Sequence, residues 1–227
     1  MTNAIIVSRI INGLKLLSKD DRVSKKYILN VARQKAEFYI AAKLNDMSIY
    51  REDNLYTSLD CFQLKRIDVI KCDVIEFRTC NNVMKSVKKL PPLVYSKYGN
   101  SLKEITNLDN TQEFRATTPS QFRRDKNRQG KEEFIRFYVK DGYLYLLDTI
   151  VQTVNLYLLT LETEKLAELS ECTTDDCKSL WEYEFICPSK LIENVVTESI
   201  KEIAGSRGIA EDTNPNMDSN QKGKTVN

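Results

Sequence analysis

Hydrophobic positions recur at helical spacing near both ends of the chain and at strand spacing through its middle, and they run out after Gly208. Between residues 2 and 17, Ile6, Ile10, Leu14 and Leu17 form one stripe that Val7 and Ile11 widen, which predicts an amphipathic helix. Lys19, Asp20 and Asp21 break it. Asp20, Asp21 and Ser24 are N-cap residue types, and they introduce a second helix from about Val23 to Asp46 with Ile28, Ala32, Ala36, Tyr39 and Ala42 on a shared face. Its alanines permit close helix packing, and the short polar break makes the pair an αα-hairpin. Near the other end, Pro188 suits a first helical position. Leu191, Ile192, Val195, Val196, Ile200 and Ile203 then mark the buried face of a third helix, which Gly205 ends.

From Ile49 the spacing shortens. Leu55, Tyr56, Phe62, Ile67, Val69, Ile70, Val74, Ile75 and Phe77 set β-branched and aromatic residues in short runs up to Arg78, which predicts strands joined by short turns. Pro91 and Pro92 stop a helix from continuing through Leu90, and Gly99 with several asparagines marks Tyr98 to Asn110 as loop. The clearest local signal is Asp141-Gly142. Phe134, Phe137, Tyr138 and Val139 lead into it and Tyr143, Tyr145 and Leu147 leave it, the pattern of a β-hairpin on a type I′ turn. Val151 to Leu161 reads as a further strand and Glu162 to Leu169 as a short helix. The predicted class is α+β: a small helical bundle, made of the N-terminal helices plus the C-terminal helix, with a β-rich insertion and an extended C-terminal arm. The divisions fall at 1–47 for the hairpin, 48–187 for the insertion, 188–206 for the C-terminal helix packing on the N-terminal ones, and 207–227 for the polar arm.

A chain of 227 residues suffices for one sizeable core, or a core plus a lobe. No stretch approaches the roughly 20 apolar residues of a membrane span, so a soluble protein with no membrane partner is expected. The apolar run Ala4 to Val7 is soon broken by Arg9, Asn12 and Lys15 and lacks the basic start and cleavage site of a signal peptide. With 34 basic residues against 32 acidic ones the net charge is +2, so no bulk field draws the chain to nucleic acid and any such contact is local. Six cysteines (Cys61, Cys72, Cys80, Cys172, Cys177 and Cys187) without a secretion signal predict free thiols in a reducing compartment, acting as small buried hydrophobes.

Histidine is absent, which removes the commonest general base and metal ligand. No G-x-S-x-G elbow, P-loop or G-x-G-x-x-G occurs among the seven glycines. Cys172 and Cys177 form a C-x4-C pair that makes a zinc site only if two of Cys61, Cys72 and Cys80 approach it; scattered buried thiols account for the same residues without metal. Adjacent carboxylates at Asp20-Asp21 and Asp175-Asp176 suit caps and turns rather than acid–base chemistry. The expectation is therefore no catalytic residue, no cofactor and no metal. One local feature stands out. Arg123, Arg124, Lys126, Arg128 and Lys131 lie together beside Phe122, a set able to touch phosphates or an acidic partner surface.

Several strings read together resemble a known family: DDRVSKKYILNVARQKAEFYI in the second helix, LDCFQLKRIDVIKCDVIEFRTCNNVMKS and LPPLVYSKYGNSLKEIT in the β region, WEYEFICPSKLIENVVTESIKEI near the end and NPNMDSNQK in the tail. The chain resembles the ring proteins of the portal–tail connector of crAss-like bacteriophages, akin to the head-to-tail adaptors of short-tailed phages, over most of residues 3 to 221. The resemblance implies a structural virion protein made in the bacterial host cytoplasm. It implies a ring, typically of twelve copies, that bridges portal and tail and continues the DNA channel, with DNA passing through without sequence-specific contact. The implied partners are further copies of itself, the portal protein and the next ring or tail protein. By the same analogy, the helices Val23 to Asp46 and Pro188 to Gly205 pack side by side and face neighbouring subunits, while the β insertion builds the outer or tailward wall.

Beyond Gly208 the chain holds little to bury and cannot offset its own ordering entropy. It is read as an arm whose Ile209, Asn214, Asn216, Asp218, Asn220 and Gln221 order against the portal or a neighbouring subunit. Two other readings compete with the ring. A tail-associated cell-wall hydrolase needs two carboxylates across a sugar groove, and the chain has a single tryptophan, Trp181, to line one. A nucleic-acid-binding module using Arg123 to Lys131 predicts steeply salt-dependent DNA binding by the monomer.

Overall fold

A computed structural model describes residues 1–17, 23–46, 53–67, 82–126, 135–170 and 178–206. In chain order the elements are α1 (Asn3–Leu17), α2 (Lys25–Asn45), β1 (Thr57–Ile67), β2 (Val83–Ser86), β3 (Tyr95–Ser96), β4 (Gly99–Asn100), β5 (Leu102–Thr106), β6 (Arg115–Ala116), α3 (Pro119–Lys126), β7 (Arg136–Lys140), β8 (Tyr143–Leu147), β9 (Thr153–Leu158), α4 (Glu164–Leu169) and α5 (Ser189–Ser206). The class is α+β, as the change of hydrophobic period predicts.

Helices α1, α2 and α5 pack against one another as a three-helix bundle. Ile6, Val7, Ile10 and Leu14 of α1 meet Ile28, Ala32, Ala36 and Ile40 of α2 and Leu191, Val195 and Ile203 of α5. Each fully buried aliphatic side chain of this kind contributes about 1.5–3 kcal/mol. Gly13 of α1 faces α5, where a Cβ would run into the Ile200 side chain. Ion pairs Arg9–Glu193 and Lys35–Glu202 edge the packing, and Glu202 holds the Lys35 ammonium above its ordinary pKa by hydrogen bonding. At the start of α1, Asn3 donates from its side chain to the Leu180 carbonyl at 2.9 Å and from its backbone to that of Tyr183 at 2.9 Å.

The large sheet runs β5-β9-β1-β2-β8-β7-β6. Neighbours are antiparallel except β6 and β7. One segment joins its two ends. Thr106 pairs with Glu113, the Phe114 N–H donates to the Ile105 carbonyl at 2.8 Å, and the next residues pair with β7 through Arg115 N–H to the Ile135 carbonyl at 2.9 Å and Thr117 N–H to Phe137 at 2.8 Å. The sheet thus closes into a small barrel, which gives both end strands their hydrogen-bond partners. Its inward residues, among them Phe62, Leu64, Ile105, Phe114, Phe137 and Leu146, form a second core that Leu166 of α4 joins. Ser86, also fully buried, accepts a hydrogen bond from the Leu144 N–H at 3.1 Å. Tyr56, Leu159 and Leu161 carry the bundle core across to the barrel.

The hairpin at Asp141-Gly142 forms as expected: Lys140 pairs with Tyr143, and φ is +54° and +78° at the two turn residues, the signs a type I′ turn requires. Other expectations need correction. Tyr98 to Asn110 is not simply loop, because it holds β4 and β5. Only Ile105 and Thr106 of β5 are buried, so the sequence offers almost no alternation to read there. The buried stripe of α2 follows Ile28, Ala32, Ala36, Ile40 and Leu44, while Tyr39 is half-buried and Ala42 exposed. Ser24 takes the N-cap position without a side-chain bond, and Asp20 and Asp21 lie outside the described residues. Cys187 is a free thiol, whereas Cys61 is disulfide-bonded, against the expectation of free thiols throughout. Cys61 sits at a bulge where β1 and β9 slip register, at φ +58°, and its N–H donates to Asn155 Oδ1 at 3.2 Å.

Candidate functional site

Helix α3 carries the first part of the basic stretch, and its local chemistry explains why it is a helix. Thr118 caps it: the Gln121 N–H donates to Thr118 Oγ1 at 3.3 Å, the Thr118 N–H donates to Gln121 Oε1 at 3.2 Å, and Pro119 fills the first turn. Phe122 is the anchor, buried against Val83, Tyr145 and Leu147 on the outside of the barrel, with the Arg136 guanidinium 5.5 Å from its ring. Arg123, Arg124 and Lys126 therefore belong to α3, with Arg124 exposed. Arg128 and Lys131 lie outside the described residues.

Above α3 the barrel wall is basic and aromatic. Strand register sets Lys65, Lys85, Tyr145 and Tyr138 opposite one another across β1, β2, β8 and β7. Tyr138 and Tyr145 stack at 4.8 Å, the Lys85 ammonium lies 3.9 Å from the centre of the Tyr143 ring, and that of Lys89 lies 5.6 Å from it. The far wall, built on β5, β9 and the first half of β1, is different. It carries a cleft of about 330 Å³ lined by Ser58, Asp60, Glu104, Thr106, Asn155 and Tyr157. Asn155 is fixed there by donating to the Leu108 carbonyl and Asn110 Oδ1, both at 3.2 Å.

A second cleft, of about 250 Å³, lies between α2 and the chain around Pro92 and Leu161. Arg33 sits in it, 9% exposed, and donates from Nη1 and Nη2 to the two carboxylate oxygens of Glu164 at 2.8 Å each. This fork ties the bundle to α4 and so to the barrel. It orients two lobes, and Glu37 and Glu162 line the same cleft.

Cys72, Cys80, Cys172 and Cys177 lie outside the described residues, as do Asp175 and Asp176. Among the described residues no group of three or more cysteine, aspartate or glutamate side chains is placed to hold an ion. Burial pushes the Cys187 thiol up to about 12, so it is a protonated packing group and not a nucleophile. No helix among the described residues is long and apolar enough to cross a membrane. The arm residues Ile209, Asn214, Asn216, Asp218, Asn220 and Gln221 lie outside the described residues.

The outer surface also exposes apolar side chains on the bundle: Leu16 of α1 at 89% and Phe38 of α2 at 68%. The described residues thus form a tied pair of lobes with charged and aromatic outer faces. A family model described as phage tail ring protein 2 matches residues 5–222, nearly the whole chain. No curated protein matches the sequence.

Proposed function

The chain belongs to the phage tail ring protein 2 family of crAss-like phages, and from that premise we propose that it forms a ring of twelve copies in the head-to-tail connector, bridging portal and tail and continuing the DNA channel. As a tail ring protein it is a structural component of the virion. The match over residues 5–222 carries the reading, because it spans the bundle, the barrel and most of the arm together. Mechanical work of this kind needs a subunit whose lobes keep their angle under load, and the Arg33–Glu164 fork supports it. Catalysis plays no part. The bundle presents helix faces to neighbouring subunits, and the barrel builds the outer or tailward wall.

In this reading Ile209, Asn214, Asn216, Asp218, Asn220 and Gln221 contact the portal or a neighbouring copy. Arg123, Arg124, Lys126, Arg128 and Lys131 meet phosphate or an acidic neighbouring surface. Binding of immobilised portal protein by the full chain and by a chain lacking residues 208–227 tests the arm. The truncated chain is expected to lose most of its portal binding while keeping its circular dichroism spectrum; unchanged binding refutes the role of the arm.

A further inference from the structure

A ring of one kind of subunit needs two different faces on each copy, each complementary to the other. Each copy turns only slightly relative to the last, by roughly 30° in a ring of twelve, so the two faces lie nearly opposite each other. The barrel carries such a pair. On one wall, the outward positions of β1 from Gln63, and of β2, β8 and β7, include Lys65, Lys85, Arg136 and Lys140 and no acidic residue. Asp141 and Asp148 lie at the two ends of β8, beyond the strand. On the wall built on β5, β9 and the first half of β1, Asp60 and Glu104 are exposed, and Glu113, paired with Thr106, faces the same way. Among the described residues one base stands on that side, Lys103, whose ammonium lies over the rings of Tyr56 and Tyr157 at 4.7 and 5.4 Å. Counting along the closed strand order, β9 stands three strands from β8 through β1 and β2, about half-way round.

Resting on the ring reading above, we infer that neighbouring copies meet barrel to barrel, the lysine and tyrosine wall of one copy docking on the acidic wall of the next. Tyr143, half-buried beside the Lys85 ammonium, supplies rigid apolar area at the centre of the contact, while Lys65 and Lys89 at its margin pair with Asp60 and Glu104 of the next copy. A second copy is favoured over DNA as occupant because the acidic wall is its match, and a DNA-binding wall calls for no acidic counterpart on the same barrel.

The test uses four exposed residues and the full chain, with assembly followed by mass photometry over a series of salt concentrations. K65E/K89E and D60K/E104K are each expected to lower ring occupancy at least tenfold at low salt. The chain carrying all four substitutions is expected to assemble again, as is an equimolar mixture of the two double variants, which misfolded variants cannot do. Rings of either double variant that match the wild type in size and salt tolerance overturn the contact. If such K65E/K89E rings have also lost duplex DNA binding, the wall belongs to DNA. Failure of the fourfold variant to assemble while its thermal melt is unchanged also overturns the contact. A wild-type chain that never assembles refutes the ring reading itself, and this contact with it.

Discussion

Replacing Arg33 tests how the two lobes are held together. Arg33 is nine-tenths buried and its fork to Glu164 is the charged tie between α2 and α4. Arg33→Ala strands the Glu164 carboxylate, 22% exposed, in the cleft without its partner. Breaking a buried pair on one side costs about 3 kcal/mol, against less than about 1 kcal/mol for a surface pair. Arg33→Lys keeps the charge but not the planar fork and loses about 1.5 kcal/mol, the worth of one charge-assisted hydrogen bond. Replacing both partners by methionine removes the buried charges together and costs less than either single loss. Equilibrium urea denaturation followed by Trp181 fluorescence measures all three, because this tryptophan packs at the edge of the bundle core. A loss of 3 kcal/mol corresponds to roughly 6–12 °C in Tm for a chain of this size. An Arg33→Ala midpoint within about 0.5 kcal/mol of the wild type, the range of ordinary surface changes, would refute the argument.

Ser86→Ala leaves the buried Leu144 N–H inside the barrel wall without its acceptor and is expected to cost about 2 kcal/mol, with faster hydrogen exchange at Leu144; an unchanged denaturation midpoint contradicts this. Cys187 is expected to resist alkylation at pH 8 in the folded chain and to react on unfolding, since burial holds its pKa at about 12. The sign of the linked effect follows: between about pH 9 and 12 the unfolded chain has released a proton that the folded chain still holds, so stability falls as pH rises. The wild type should therefore lose more stability across that window than Cys187→Val, and parallel curves for the two proteins contradict the assignment.

What the sequence discloses and what it hides divide along the range of the interactions. The helices are legible because Ile6, Ile10 and Leu14, or Leu191, Val195 and Ile203, repeat within one element, and the β7–β8 turn is legible because only Asp141-Gly142 types accept two positive φ values. Barrel closure is not, since it rests on backbone bonds from Phe114 and Thr117 to strands that lie on either side of them in the chain. Arg33 is hidden for a related reason. It stands on an alanine-rich buried face, and its partner Glu164 is 131 positions away. The oppositely charged walls come from register, which puts Lys65 beside Lys85 and Glu104 beside Tyr157. Helix α3 could have been found: Thr118, Pro119 and Gln121 spell its capping box, obscured by the basic run that follows.

The central claim, that this chain closes a ring in the phage tail, is tested most directly by electron microscopy of the purified full-length chain with subunits counted in class averages. The account predicts closed rings of twelve copies with an open centre wide enough for duplex DNA, about 20 Å across. Particles that remain monomeric at high concentration, and a virion connector in which no ring layer contains this chain, would contradict it.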